Sequence, residues 1–236
     1  KYPHIQSKDI NSIIRKNNWL YIGTDFGLLT YDLIDDVWKL YDESNGYSSV
    51  EDIVFYNNDL YIATNRGINV FSSIINKPIL YDINNMPIEI FDLELEDNIL
   101  YFISDFGFYK VNIITNELTK ISDRIFSEVI IDNNDIYLVE KNNIFKYIHR
   151  NNKNVLKRIF KFPRIKNVDI CNNYIWVHNK NKAGLYDQYS NTLFEYDYLD
   201  GIPGSIINQI ECDEDWVWFV TNSGLTFYNW SRYHYE

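Results

Sequence analysis

Six polar residues recur at matched places along the chain: Ser12, Asp52, Asp92, Glu128, Asn167 and Gln209. Each stands immediately before an aliphatic residue: Ile13, Ile53, Leu93, Val129, Val168 or Ile210. Carboxylates and amides suit a cation or a polyhydroxylated ligand. In a strand, neighbouring side chains point to opposite faces, so the polar six share one face. The competing reading is a hydrated channel without a specific ligand. A second set, Phe26, Arg66 and Phe106, lies in short polar turns. Aromatics beside carboxylates suit sugar stacking, although turn aromatics also tuck over a core.

Charge marks a third set. Residues 141–166 hold nine Lys and Arg and no acid, which leaves 13 basic against 33 acidic residues elsewhere, a balance of −20. Within this run Lys153, Lys157, Arg158, Lys161, Arg164 and Lys166 form a candidate docking patch for an acidic partner, an anionic glycan or a second copy. The alternative is protection of an edge strand by lysine.

Catalytic chemistry finds little support. His4, His149, His178 and His234 have no metal-ligand spacing, and no nucleophile elbow, phosphate loop or dinucleotide fingerprint is present. The Asp-Phe-Gly triplets at Asp25–Gly27 and Asp105–Gly107 repeat 80 residues apart and read as turns. No catalytic residue, metal site or cofactor is expected. Cys171 and Cys212 read as two free core thiols rather than a disulfide.

Composition narrows the class. The chain has 236 residues, 46% hydrophobic and 17% aromatic, with net charge −11. It is too apolar for disorder and too acidic for general nucleic-acid binding. Its apolar runs are too short to span a membrane. Ile occurs 34 times, Asn 30 times and Ala twice, a bias toward strands and turns. The chain opens on Lys1 rather than Met, which reads as a processed product or a segment of a larger array.

Repetition organises these residues. Aromatics at Tyr21, Tyr61, Tyr101, Tyr137, Trp176 and Trp218 are spaced by 40, 40, 36, 39 and 42 residues, each eight residues after its aliphatic. The first unit reads as strands Ile10–Ile14, Trp19–Gly23, Leu28–Asp32 and Val37–Tyr41. Gly27, Gly67, Gly107 and Gly224 close the second hairpin; Asn143 takes a left-handed conformation in the fourth unit, and Gly184 implies a longer turn in the fifth. Thr24, Thr64 and Thr221 end second strands and bond the turn backbone. About 40 residues per four strands predicts an all-β, six-bladed β-propeller of four-stranded antiparallel blades. It forms a single domain over 1–236, with blades near 6–45, 46–85, 86–122, 123–161, 162–200 and 201–236. The polar six then ring a channel mouth, and Lys1–Ile5 or Arg232–Glu236 adds an outer strand. Trp230, Tyr233 and Tyr235 read as exposed edge aromatics.

The units resemble the two-component-regulator propeller repeat at YIGT…GLLTYD (Tyr21–Asp32), YIAT…GINVF (Tyr61–Phe71) and WFVT…GLTFY (Trp218–Tyr228). NGYSSVEDI (Asn45–Ile53) and DGIPGSIINQI (Asp200–Ile210) echo its inter-blade stretch. The resemblance implies a periplasmic or extracellular sensor or interaction domain. The leading expectation is therefore a non-enzymatic binding module for a protein partner or an oligosaccharide. The alternatives are a propeller lyase or glycosidase using Asp52, Asp92 and Glu128, and a surface component that self-assembles.

Overall fold

A computed structural model describes residues 10–42, 49–71, 76–77, 88–150, 153–213 and 215–234. It contains six antiparallel sheets, each built in chain order. The first comprises β1 (Ile10–Lys16), β2 (Trp19–Thr24), β3 (Gly27–Asp32) and β4 (Val37–Tyr41). The second comprises β5 (Val50–Tyr56), β6 (Asp59–Thr64), β7 (Gly67–Phe71) and β8 (Asn76–Lys77). The third holds β9 (Ile90–Glu96), β10 (Ile99–Ser104), β11 (Gly107–Asn112) and β12 (Glu117–Ser122). The fourth holds β13 (Glu128–Asp132), β14 (Asp135–Glu140), β15 (Asn143–Arg150) and β16 (Lys153–Lys161). The fifth consists of β17 (Asn167–Cys171), β18 (Tyr174–His178), β19 (Ala183–Asp187) and β20 (Thr192–Tyr196). The sixth has β21 (Ile207–Asp213), β22 (Trp216–Thr221) and β23 (Gly224–Asn229).

The chain divides into two compact units, Lys1–Val129 and Ile130–Glu236. In the first, β1 lies against β5 and β5 against β9; in the second, β17 lies against β21. First strands thus stack from sheet to sheet. Second and third strands supply much of the core, and their sequences are largely apolar. Leu93, Leu100, Phe102 and Tyr109 pack with Tyr61, Ile68 and Ile88 in the first unit. Trp176, Leu185, Val217 and Phe219 do so in the second.

The second hairpins are built alike. Thr24 Oγ1 donates to Gly27 O at 2.9 Å and accepts from Phe26 N at 3.2 Å. Thr64, Ser104 and Thr221 repeat both bonds in their own blades. The glycine has φ near +127° at Gly27, Gly107 and Gly224, where a side chain is strained. Blade four departs: its turn is Lys141–Asn142, and Lys141, not Asn143, has the positive φ of 49°. In blade five Asn179 Oδ1 accepts from the N–H groups of Asn181 and Lys182, holding the longer turn expected there.

Four-stranded blades are the rule in five sheets, but the sixth has three strands among the described residues. After β23 the described residues do not turn back to pair. Trp230 is fully buried, its ring centroid 4.4 Å from that of Tyr174, and Ser231–His234 form a short helix (α1) whose Arg232 N–H is capped by Asn229 Oδ1. This overturns both the exposed Trp230 and an outer strand at Arg232–Glu236. The side chains of Tyr233 and Tyr235, and the segment Lys1–Ile5, lie outside the described residues.

Cys171 and Cys212 form a disulfide, with Cα atoms 6.1 Å apart. The expectation of free thiols fails because β17 and β21 are adjacent first strands, which brings the two residues together.

Two stability measurements test this architecture. An alanine at Gly27 would set its Cβ 2.1 Å from Tyr41 O, whereas Gly224 has nothing within 4 Å, since no fourth strand faces it among the described residues. Gly224→Ala should cost about 1–3 kcal/mol of backbone strain, and Gly27→Ala clearly more, by urea denaturation. Replacing both cysteines by serine, across a separation of 41 residues, should cost about 2–4 kcal/mol. That is a fall in melting temperature of roughly 4–16 °C.

Candidate functional site

The polar six occupy first strands, where the repeat placed them. In the first unit, Asp52 Oδ1 accepts from Ser12 Oγ at 3.0 Å and Asp52 Oδ2 accepts from Leu93 N at 3.1 Å. Asp92 Oδ2 accepts from Val129 N at 2.6 Å. In the second unit, Asn167 Oδ1 accepts from Ile210 N at 3.2 Å, and Asp169 Oδ2 accepts from Cys212 N at 2.5 Å. The pattern is one residue deep. At Asp52, Asp92 and Asn167 the polar side chain before the aliphatic of one blade receives the N–H of the next blade's aliphatic. First strands pair on one side only, so their outward N–H groups need such acceptors.

A β-bulge helps to aim four of these side chains, those of Ser12, Asp52, Asp92 and Gln209, while Asn167 lies in unbroken register. The register slips between Ile10 and Ser12, between Val50 and Asp52, and between Ile207 and Gln209, just ahead of the polar position each time. In β9 the slip falls at Phe91, again just before Asp92. Bulges of this kind re-aim a side chain relative to simple alternation. Sequence reasoning placed the residues on one face but missed both the bulge and the donors they meet.

Ser12, Asp52 and Asp92 are linked in the first unit, and Glu128 acts electrostatically on Asp92. Burial, then the neighbouring Asp52 carboxylate, holds the Asp92 carboxyl well above the usual carboxylate range, with the Val129 N–H opposing. Glu94, two residues along β9, is pushed up to about 7 by burial and then by Asp52. In the second unit Asn167 joins β21, while Gln209 is exposed.

The turn residues are exposed. Phe26 is 61% exposed and Phe106 39% exposed, and Arg66 is exposed at the equivalent position between them. The turn threonines and serine place each at the same step of its hairpin in three consecutive blades.

The basic run divides. Lys153, Lys157, Arg158 and Lys161 lie on β16. Arg164 and Lys166 follow in the crossing to β17 and line a separate cavity with Lys180 and Lys182. The β15–β16 hairpin has strands of eight and nine residues, longer than other outer hairpins among the described residues.

Within each unit the sheets are antiparallel, run in chain order and stack through their first strands, and six such sheets follow one another along the chain. The fold is a six-bladed β-propeller. No sequence-family profile matches the chain, and no curated protein matches it in sequence. Solved structures do. The extracellular domain of a proposed hybrid two-component system from B. thetaiotaomicron matches 96% of this propeller at TM-score 0.76 and 16% identity. A second such domain from that organism matches 95% at TM-score 0.54 and 13% identity. A computationally designed protein, Ika8, matches 93% at TM-score 0.71 and 11% identity. The propeller spans 32% and 39% of the two extracellular domains and 70% of the designed protein.

The raised carboxylates set a pH dependence. Glu94 titrates higher when folded than when unfolded, so the folded chain holds its proton more tightly between the two values. Stability should therefore fall as pH rises from about 4.5 to about 7 and level off above. Asp92 contributes in the same direction. Glu94→Gln should flatten that slope in urea titrations at pH 5 and pH 8.

Proposed function

We propose that this propeller is an extracytoplasmic, non-enzymatic recognition module of the sensor type, which binds a saccharide through its first-unit turns. The observation that carries this reading is the exposure of Phe26 and Phe106 on hydrogen-bonded turns, with Arg66 between them in the chain. A planar ring held outward offers an apolar face to a sugar ring, and a guanidinium offers donors to its hydroxyls. The first-strand carboxylates, by contrast, are already used by backbone N–H groups. The extracytoplasmic setting is supported by the Cys171–Cys212 disulfide, a bond that persists in oxidising compartments, and by fold neighbours that are extracellular domains.

A second reading has its own support. Asp92 and Glu94 are carboxyls with raised proton affinity beside Asp52, the arrangement a general acid requires. In a lyase or glycosidase, Asp92→Asn would abolish turnover; in the recognition module it leaves the turn face able to bind.

A thermal-shift screen against neutral oligosaccharides tests the leading reading. A ligand at 100 times its Kd adds about 2.7 kcal/mol, a rise of roughly 5–10 °C in a chain of this size. The rise should vanish in Phe26→Ala with Phe106→Ala and persist in Asp92→Asn. A flat screen turns the reading toward a protein partner.

A further inference from the structure

The second unit carries a cleft that the reading above does not use. It lies between the β15–β16 hairpin and blade five, with a volume of about 480 Å³, within the range of small-molecule sites. Lys146, Arg150, Lys157 and Arg158 line one wall, and Gln188 and Asn191 belong to the other.

Pairing fixes which face of the hairpin looks into it. Lys146 is opposite Tyr137, and the Tyr137 hydroxyl donates to Gln188 Oε1 at 3.0 Å across the cleft. The same face therefore presents the cross-strand pairs Lys146–Lys157, Ile148–Val155 and Arg150–Lys153. Like charges directly opposite one another destabilise a hairpin. Asp135 relieves the first pair through Lys146, at 2.5 Å. Among the described residues, no acid pairs with Arg150, Lys153, Lys157 or Arg158. The two cationic steps are four residues apart, about 13 Å along a strand. That span suits an extended polyanion better than a single small ion.

The hydrogen-bonding groups agree with the charge. Among the lining side chains, the amide oxygens of Gln188 and Asn191 accept from the Tyr137 and Tyr186 hydroxyls, and Asp135 Oδ2 accepts from Lys146. At the hairpin, Asn154 Oδ1 is bonded to Tyr147 and His149. What remains toward the cleft is mainly donors: the amide NH₂ groups of Asn134, Gln188 and Asn191, two guanidiniums and an ammonium. An acidic peptide would bring further N–H donors to acceptors that are already committed. A sugar chain bearing carboxylate or sulfate brings acceptor oxygens along its length.

We propose that the cleft between the β15–β16 hairpin and blade five binds an acidic oligosaccharide, whose carboxylates or sulfates lie along the cationic face of the hairpin. The site is independent of the turn face, and each set of variants leaves the other surface intact.

Titration calorimetry of the full chain with a heparin hexasaccharide, an oligogalacturonate hexamer, maltohexaose and hexaglutamate decides the matter. At least one of the acidic sugars should bind ten-fold or more tighter than both maltohexaose and hexaglutamate, and should weaken as salt rises. Preference between the two identifies sulfate or carboxylate as the recognised group. Lys157→Gln with Arg158→Gln should weaken that binding at least ten-fold. In the unaltered chain, amide exchange over residues 146–158 should slow when the sugar is added, a readout that does not depend on any variant folding. Equal affinity for hexaglutamate, absence of binding by both acidic sugars, or protection confined to other residues overturns the proposal.

Discussion

The fold depends on satisfying the outward N–H groups of first strands. β9, β13 and β21 each pair with their own second strand on one side and meet the preceding blade on the other. A buried N–H without an acceptor costs about 1–3 kcal/mol. Asp52, Asp92 and Asn167 supply that acceptor to Leu93, Val129 and Ile210. The bond ties one repeat to the next at a fixed residue. Spacing between repeats varies from 36 to 42 residues, yet the polar–aliphatic pair never shifts against its aromatic anchor. Length is gained or lost in turns and outer strands, where no such bond must be made.

The same bond explains the unusual electrostatics of the first unit. An aspartate is a strong acceptor, but placing Asp52, Asp92 and Glu94 on adjacent strands crowds negative charge into a poorly solvated region. Proton affinity rises in response. The second unit meets the equivalent need with the neutral Asn167 and a half-buried Asp169, and adds a covalent tie between the same two strands through Cys171 and Cys212. Hydrogen bond and disulfide hold β17 to β21 at residues two and four positions apart along one strand. With the core repeated so strictly, individuality is left to exposed parts: Phe26, Arg66 and Phe106 on turns, and the cationic β15–β16 hairpin. Recognition commonly resides on such segments because a rigid scaffold positions them and no core constraint limits them.

Much of this was legible in the sequence because the physics behind it is local. Strand alternation, the aromatic anchors, the glycine turns and the Thr–Gly hydrogen bonds follow from residues a few positions apart, and they define six sheets and the place of every candidate residue. Charge segregation over 141–166 is likewise a property of the chain alone. What only the tertiary structure decided involves partners some 40 residues distant. Whether Asp52 faces solvent or the Leu93 N–H depends on a bulge and on how the next blade lies. Cys171 and Cys212 become a disulfide only because two first strands are neighbours. Trp230 looked like an exposed edge residue until the third dimension supplied Tyr174 to bury it. Lys157 is one cation among nine in the sequence; it becomes part of a donor-lined cleft only when blade five brings Gln188 and Asn191 across from it. Local pattern sets which residues can act, and packing between repeats decides what each of them meets.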